Sequence, residues 1–210
     1  MHLTRRGLLM LPAFLLALGG TSVQAQQAQT PEALIKQVST EVLDALKADK
    51  GMREGDVNKI IALVNAKVMP HVDFRRMTAS AVGRHWRQAT PEQQARLQEE
   101  FKLLLVRTYS GALAQVKDQT IEVEPARASA GDKPVVVKTH VRGSGDPIQL
   151  DYRLQKSADG WKIFDVNVLG VWLVQNYRNS FAQEIGANGI DGLIARMAEL
   201  NRSAATGTKS

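Results

Sequence analysis

The chain has 210 residues and no cysteine, and its 27 basic and 21 acidic side chains give it a net charge of +6. Without cysteine it cannot form disulfides, thiolate metal sites or the lipid anchor of a lipoprotein. The charge excess is modest and does not favour nucleic-acid binding, which usually comes with a concentrated basic patch.

The N-terminal segment has the three parts of a secretory signal peptide. Arg5 and Arg6 form a basic start, residues 8–18 form an apolar run, and Val23 and Ala25 are the small residues that signal peptidase accepts. Residues 1–25 are therefore predicted to be a cleaved signal peptide, and their apolar run is too short to span a bilayer. Losing the two arginines lowers the net charge from +6 to +4. The arginine pair is also compatible with twin-arginine export, so the export route stays open.

Four helices are predicted in the first half of the chain. Residues 30–32 and 90–92 (both Thr-Pro-Glu) repeat one start signal, with an N-cap, a proline at the first position and an acid in the first turn. Residues 56–70 form a second helix, and residues 73–82 form a third that is stopped by Gly83. The helix after residue 90 is the longest, and its inner face carries Leu97, Phe101, Leu104, Leu105, Tyr109 and Leu113.

Alternating apolar and polar residues predict an antiparallel sheet in the second half. The alternation covers residues 121–124, 135–142 and 148–155, which is typical of strands with one buried and one wet face. A fourth strand, residues 161–169, follows a loop at 157–160 and is apolar on both faces. Both sides of this last strand are therefore expected to be covered.

After Gly170 the chain is expected to return to helix. One helix is predicted over residues 171–185, with breaks at Gly186 and Gly189, and Asp191 is expected to cap the last helix.

The order of these elements predicts an α+β fold in which N-terminal helices, a four-stranded curved antiparallel sheet and C-terminal helices enclose an apolar pocket. Residues 26–202 are expected to form this single domain, and residues 203–210 a flexible tail.

The sequence contains no motif of a known catalytic or metal site. His71, His85 and His140 fall on three separate elements without metal-ligand spacing, and neither a zinc-protease motif nor a nucleophile elbow is present. These histidines are expected to have surface or capping roles, so neither catalysis nor a cofactor is predicted. Residues distant in the sequence can still meet in space, so a serine-based site stays open.

A basic stretch surrounds Trp86, with two possible interpretations. It is either a solvated helix face or a patch that meets anionic head groups or an acidic partner, which predicts a salt-sensitive interaction. Its members are Arg75, Arg76, Arg84 and Arg87.

Three blocks of the sequence resemble the MlaC family, also called the toluene-tolerance auxiliary family. They are residues 74–93, residues 101–113, and residues 161–181 with their continuation to residue 193. The resemblance runs over nearly all of the chain after the signal peptide. One departure is Trp172, which stands where family members usually carry a small Ser, and whose bulk is expected to narrow or reshape the pocket.

The resemblance implies a soluble periplasmic carrier that moves phospholipid between an outer-membrane lipoprotein–porin complex and an inner-membrane ABC transporter complex. It thereby helps to maintain the lipid asymmetry of the outer membrane. The pocket positions that the resemblance implies are Tyr109, Ile148 and Val171. Hydrophobic periodicity adds Leu105, Leu113, Leu150, Val168 and Val174. The alternatives are a periplasmic enzyme or a protein-binding adaptor on a similar curved-sheet scaffold.

Overall fold

A computed structural model describes residues 29–126 and 133–206, so the predicted signal peptide lies outside the described residues. Along the chain, helices come before and after the strands of an antiparallel sheet. This order confirms the predicted α+β fold. The helices are α1 Pro31–Ala48, α2 Lys50–Arg53, α3 Val57–Leu63, α4 Phe74–Val82, α5 Pro91–Ala114 and α6 Leu173–Thr206. The strands are β1 Thr120–Val123, β2 Val135–Arg142, β3 Ile148–Ser157, β4 Gly160–Val168 and β5 Val171–Trp172.

The predicted helix starts are confirmed by their caps. The Thr30 hydroxyl accepts a hydrogen bond from the Ala33 N–H at 3.2 Å, and Thr90 forms a reciprocal capping box with Gln93. Asp73 caps α4, and Gly83 ends it at a φ of 67°, which a residue with a Cβ rarely adopts. These local hydrogen bonds satisfy N–H groups that a helix start leaves without partners.

The second predicted helix, residues 56–70, changes its geometry along its length. Asp56 caps it as expected, but α-helical hydrogen bonding ends at Leu63. A π-helical turn, Val64–Val68, and a 3₁₀ turn, Met69–His71, follow before the chain reaches α4. Pro70 lies in this last turn. Proline lacks the N–H that a continuing helix requires, so the helical segment ends here.

The strands form one antiparallel sheet in the order β1-β2-β3-β4-β5. Val137, Leu154 and Ile163 point to one side, where they are buried against Leu34 and Ile35 of α1. We call this side the inner face of the sheet and the opposite side the outer face. A register shift after Arg153 keeps Leu154 and Ile163 paired, because β4 has one extra residue at this point.

The segment after Gly170 differs from the prediction. The sheet has five strands rather than four, because Val171 and Trp172 pair with the end of β4 before α6 begins at Leu173. The helical span is interrupted only at Gly189, whose φ of 73° and ψ of −176° are non-helical. The expected break at Gly186 does not occur.

The last helix also continues further than expected. It extends to Thr206, into the segment predicted as a tail. Asp191, expected as a cap, accepts a hydrogen bond from the Gln93 side chain of α5 at 2.9 Å. This bond ties the second half of α6 to the start of α5.

Three buried clusters stabilise the part of the chain that the structure describes. The largest joins α4, α5 and α6 around Phe101, the second packs α1 on the inner face of the sheet, and the third joins α1, α3 and the end of α5 around Leu46. In the largest cluster, the Phe101 ring lies 5.0 Å from that of Tyr177 and 5.1 Å from that of Phe181. Edge-to-face contacts of this kind favour a fixed arrangement of the two helices.

In the parts of the chain that the structure describes, none of the helices has the length and apolar character needed to cross a membrane.

Candidate ligand-binding cleft

The inner face of the sheet carries an apolar strip at the end formed by β3, β4 and β5. Leu150 of β3 pairs with Val168 of β4, and Val168 pairs in turn with Val171 of β5, so these side chains share one face. Ile148 begins β3 on the same face. Ile148 is 43% exposed and Val171 is 50% exposed, whereas Val137 on the same face is fully buried. Apolar side chains at this end of the sheet are therefore left incompletely covered.

Helix α5 provides a second apolar surface. Leu105, Tyr109 and Leu113 are all half-buried, and they follow one another at the four-residue spacing that places them on one side of the helix. In the described ranges, α5 packs against α2, α3, α4 and α6, whereas α1, α4 and α6 pack on the sheet. The strip on the sheet and the stripe on α5 both carry apolar side chains that are only partly covered, and we call these two surfaces together the apolar cleft, the candidate site for an apolar ligand.

Helix α6 connects the two surfaces. Val174 in its first turn is half-buried and packs against the cluster around Phe101, as does Leu105. The structure thus distributes the sequence-predicted positions over the inner face of the sheet, α5 and the start of α6. Whether all of them contact a ligand stays a prediction.

Two tyrosines add hydroxyl groups to this apolar region. Burial raises the pKa of the Tyr109 phenol, and the neighbouring Tyr177 raises it further. Burial also raises the pKa of Tyr177, while a hydrogen bond with Thr108 opposes this shift. Tyr177 is not among the positions predicted from the sequence, although its place three residues after Val174 puts it on the same side of α6.

Leu169 is a second residue that sequence reasoning missed. It is 67% exposed and has a φ of 52°, an uncommon conformation for a residue other than Gly, Asn or Asp. Its N–H donates to the Gln149 carbonyl at 3.2 Å, which brings it close to Ile148 at the start of β3. Leu169, Ile148 and Val171 thus form an exposed apolar rim at the end of the sheet. The sequence feature that could have identified Leu169 is a large apolar residue directly before Gly170, at the end of a predicted strand.

Trp172, whose bulk is expected to narrow or reshape the pocket, lies beside Val171 in the chain but has different surroundings. It pairs with Asn167, and successive residues of a strand point to opposite faces, so Trp172 lies on the outer face while Val171 lies on the inner face. The Arg153 guanidinium stacks on its ring at 3.7 Å. Trp172 and Val171 therefore lie on opposite faces of the sheet, and whether the bulk of Trp172 narrows or reshapes the pocket stays a prediction.

The four arginines of the basic stretch have different surroundings. Arg75 lies 5.7 Å from the centre of the buried Trp86 ring system, and Arg84 Nε lies 3.4 Å from His85 Nε2. Arg87 is exposed. Arg76 turns away toward the sheet, where it stacks on Phe164 at 3.7 Å and donates a hydrogen bond to the Gln155 side chain. A role of this patch in contacting head groups or a partner stays a prediction.

The histidines lie apart from one another. His85 Nδ1 is 3.0 Å from the Gln88 side-chain oxygen, and His140 Nε2 is 2.7 Å from Glu124 Oε1 on the neighbouring strand. His71 ends the 3₁₀ turn before α4. Within residues 29–126 and 133–206, no three His, Asp or Glu side chains are grouped so that they could hold a metal ion.

Comparison with known proteins gives one consistent result. The model of the MlaC protein family matches residues 36–199 of the chain. The toluene tolerance protein ttg2D of Pseudomonas putida is 31% identical over 207 residues, which cover 95% of this chain and 94% of that protein. The intermembrane phospholipid transport system binding protein MlaC of Haemophilus influenzae is 20% identical over 172 residues, 80% of either chain.

A solved structure extends this comparison to three dimensions. It is a phospholipid-binding protein from Ralstonia solanacearum in complex with a phospholipid, and it superimposes with a TM-score of 0.80 at 45% sequence identity. The match covers 83% of this chain and 98% of that protein.

Proposed function

The chain belongs to the MlaC family, and on this premise we propose that it binds a phospholipid in the apolar cleft and carries it through the periplasm. The acyl chains lie between the inner face of the sheet and α5, and the head group stays near solvent. In this proposal the protein is a carrier and not an enzyme, and the phospholipid is its cargo, with no cofactor required.

The observation that supports this proposal best is the phospholipid held by the Ralstonia relative, at 45% identity and a TM-score of 0.80. In this chain, apolar side chains remain partly exposed on two surfaces, at Leu150 and Val168 of the sheet and at Leu105 and Tyr109 of α5, and in the proposal these surfaces hold the lipid between them. Folded proteins rarely leave such surfaces uncovered unless something binds to them.

The physical chemistry of lipid transfer explains why the cleft is apolar. Two acyl chains hold roughly 30 methylene groups, and exposing them to water costs on the order of 20 kcal/mol at about 0.8 kcal/mol for each group. A carrier must therefore cover the chains throughout the passage. It must also release them, and an apolar lining with few hydrogen-bonding groups gives an affinity that a bilayer can match.

The proposal extends to the route, for which membership of the family is the support. The signal peptide, residues 1–25, directs export and is removed, and residues 26–202 act as one lipid-binding domain. The carrier takes up lipid at one membrane and delivers it at the other, between an outer-membrane lipoprotein–porin complex and an inner-membrane ABC transporter complex. This exchange maintains the lipid asymmetry of the outer membrane.

Mass spectrometry of an organic extract of the purified protein tests the proposal. The protein is exported to the periplasm of a Gram-negative host and purified without detergent, and we expect about one phospholipid per chain. A small polar metabolite in the extract would instead indicate an enzyme. An empty extract, together with capture of a partner protein, would indicate an adaptor.

A further inference from the structure

A buried acidic side chain on the outer face of the sheet connects β4 to the start of α6. One carboxylate oxygen of Asp165 accepts hydrogen bonds from the Val166 N–H at 2.9 Å and the Val174 N–H at 3.1 Å. The other accepts from the Arg153 guanidinium at 3.0 Å. The Asp165 side chain is only 3% exposed, so these three donors replace its contacts with water.

The bond to Val174 has a structural consequence because it lies in the first turn of α6. A helix start leaves N–H groups without partners inside the helix, and an acidic side chain there is favourable for both hydrogen bonding and charge. Asp165 therefore fixes the start of α6 to β4. The Asn167 side chain adds a second tie, since its oxygen accepts from the Gly170 N–H at 2.8 Å.

Trp172 also contacts Arg153, the residue that donates a hydrogen bond to Asp165. The Arg153 guanidinium lies against the Trp172 ring at 3.7 Å while it donates to Asp165. The ring covers one face of the guanidinium, which both limits its motion and reduces the access of water to the ion pair. Trp172 belongs to the same two-residue strand as Val171, whose side chain borders the cleft on the inner face.

Side chains on the outer face of the sheet thus hold the backbone segment that carries Val171 and Val174, whose side chains border the cleft. Strand β5 has only two residue pairs with β4, so it contributes few backbone hydrogen bonds of its own. The position of Val171 and Val174 therefore depends on the ties made by Asp165, Arg153 and Trp172.

We propose that Trp172, Arg153 and Asp165 form a clamp that holds the β5–α6 wall of the cleft closed and thereby slows the release of the carried lipid. They are positioning residues, since none of them borders the cleft. The part of this inference that concerns release rests on the proposed function. The clamp itself is a property of the backbone that can be measured without lipid.

The test replaces Trp172 by Ser, which removes the ring, and by Phe, which retains an aromatic face for Arg153. Two quantities are measured: hydrogen exchange of the Gly170 and Val174 amides, and the rate at which a fluorescently labelled phospholipid leaves the protein for acceptor vesicles. The matched control is Phe164→Ser, because Phe164 stacks on Arg76 at the same distance of 3.7 Å but that pair bonds to Gln155 instead of the start of α6.

We expect Trp172→Ser to speed lipid release about fivefold and to increase exchange at both amides, as the loss of a partly desolvated cation–π contact would do. Trp172→Phe should restore most of the wild-type behaviour. Phe164→Ser should lower thermal stability without changing either quantity. Equal acceleration by Phe164→Ser would overturn the proposal, since it would trace the effect to general destabilisation.

The two levels of the inference can fail separately. Unchanged exchange in Trp172→Ser overturns the clamp and leaves the proposed function in place. A wild-type protein that takes up no labelled lipid overturns the proposed function, and the claim about release falls with it.

Discussion

Val171 lies directly opposite Val168 across the last two strands of the sheet, with Leu169 and Gly170 forming the turn between them. Both valine side chains face the cleft, and the next pair along the same strands, Asn167 and Trp172, faces the outer side. The apolar rim of the cleft and the clamp behind it therefore lie on opposite faces of the same two strands. The effects of substitutions on the two faces should differ accordingly.

A charge on the rim is expected to abolish lipid binding without unfolding the protein. Val171→Glu or Ile148→Glu places a carboxylate beside the acyl chains, where a charge without a partner costs several kcal/mol. Both side chains are at least 43% exposed, so the charge remains hydrated in the lipid-free protein. We expect wild-type circular dichroism and no phospholipid in the organic extract.

Thr120→Glu is the matched control for these variants. Thr120 is exposed and pairs with Arg142 on β1, at the end of the sheet opposite to β5, so its new charge lies away from both the cleft and the clamp. It should retain its lipid. Lipid retained in Val171→Glu and Ile148→Glu as well would remove the rim from the binding site.

Leu169→Gly is expected to stabilise the protein slightly. Leu169 has a φ of 52° and is 67% exposed, so it has an unfavourable backbone conformation and little buried surface to offset it. A left-handed backbone conformation destabilises a residue with a Cβ by roughly 1 kcal/mol, and glycine removes this strain. Glycine also increases the entropy of the unfolded chain, which offsets part of the gain. Urea denaturation should show a gain of about 0.5 kcal/mol.

The counterpart of this variant is Leu169→Asn, which tolerates the same backbone conformation and removes the apolar side chain. Similar stability of the two variants would assign the effect to the backbone. A loss of more than about 1 kcal/mol in both would mean that the Leu169 side chain packs more tightly than its exposure indicates.

The stability contribution of Asp165 is expected to decrease as the pH rises. Burial is the largest influence on this carboxyl and raises its pKa above 3.8, although Arg153 and two backbone N–H groups favour the charged form. Between pH 3.8 and the raised pKa of Asp165, the folded state binds more protons than the unfolded state. The free energy of unfolding therefore falls as the pH increases. The stability difference between wild type and Asp165→Asn should shrink from about pH 2 to about pH 7.

Asp49 provides a comparison of opposite sign. Its pKa is lowered, chiefly by the hydrogen bond from Lys59 and next by the Met52 N–H. The stabilisation that Asp49 contributes is therefore present above pH 3.8 and is lost as the pH falls through the lowered pKa. The difference between wild type and Asp49→Asn should grow over the same pH series in urea, and parallel trends for the two aspartates would contradict both assignments.

The exposed arginines beside Trp86 are expected to promote association with anionic membranes. Reversing the charge of Arg84 and Arg87 together should weaken sedimentation with vesicles that contain phosphatidylglycerol, and added salt should reduce wild-type binding in the same way. The control is Arg142→Glu with Arg196→Glu, which changes the net charge equally at positions outside this stretch. Equal loss in both double variants would indicate a response to net charge and not to this surface.

Much of the fold could be predicted because its signals are local. Thr30, Asp73 and Thr90 start helices by accepting a hydrogen bond from the N–H three residues ahead, so the cap and its target appear together in the sequence. The alternation in β2 and β3 likewise reports which side chains share a face. The strand Val171–Trp172 was missed, because two residues are too few to show a period and the pairing with β4 comes from outside the segment.

The sequence by itself determined the α+β order, the helix starts, the apolar strands and the absence of cysteine, since each depends on residue type or on neighbours a few positions away. Only the tertiary structure decided which apolar residues remain partly exposed, because that depends on which helices pack over each part of the sheet. It also decided that Val171 and Trp172, adjacent in the chain, serve opposite faces: one borders the cleft, while the other stacks on Arg153 behind it. A sequence records that two residues are neighbours, but the pairing of strands determines which way each side chain points.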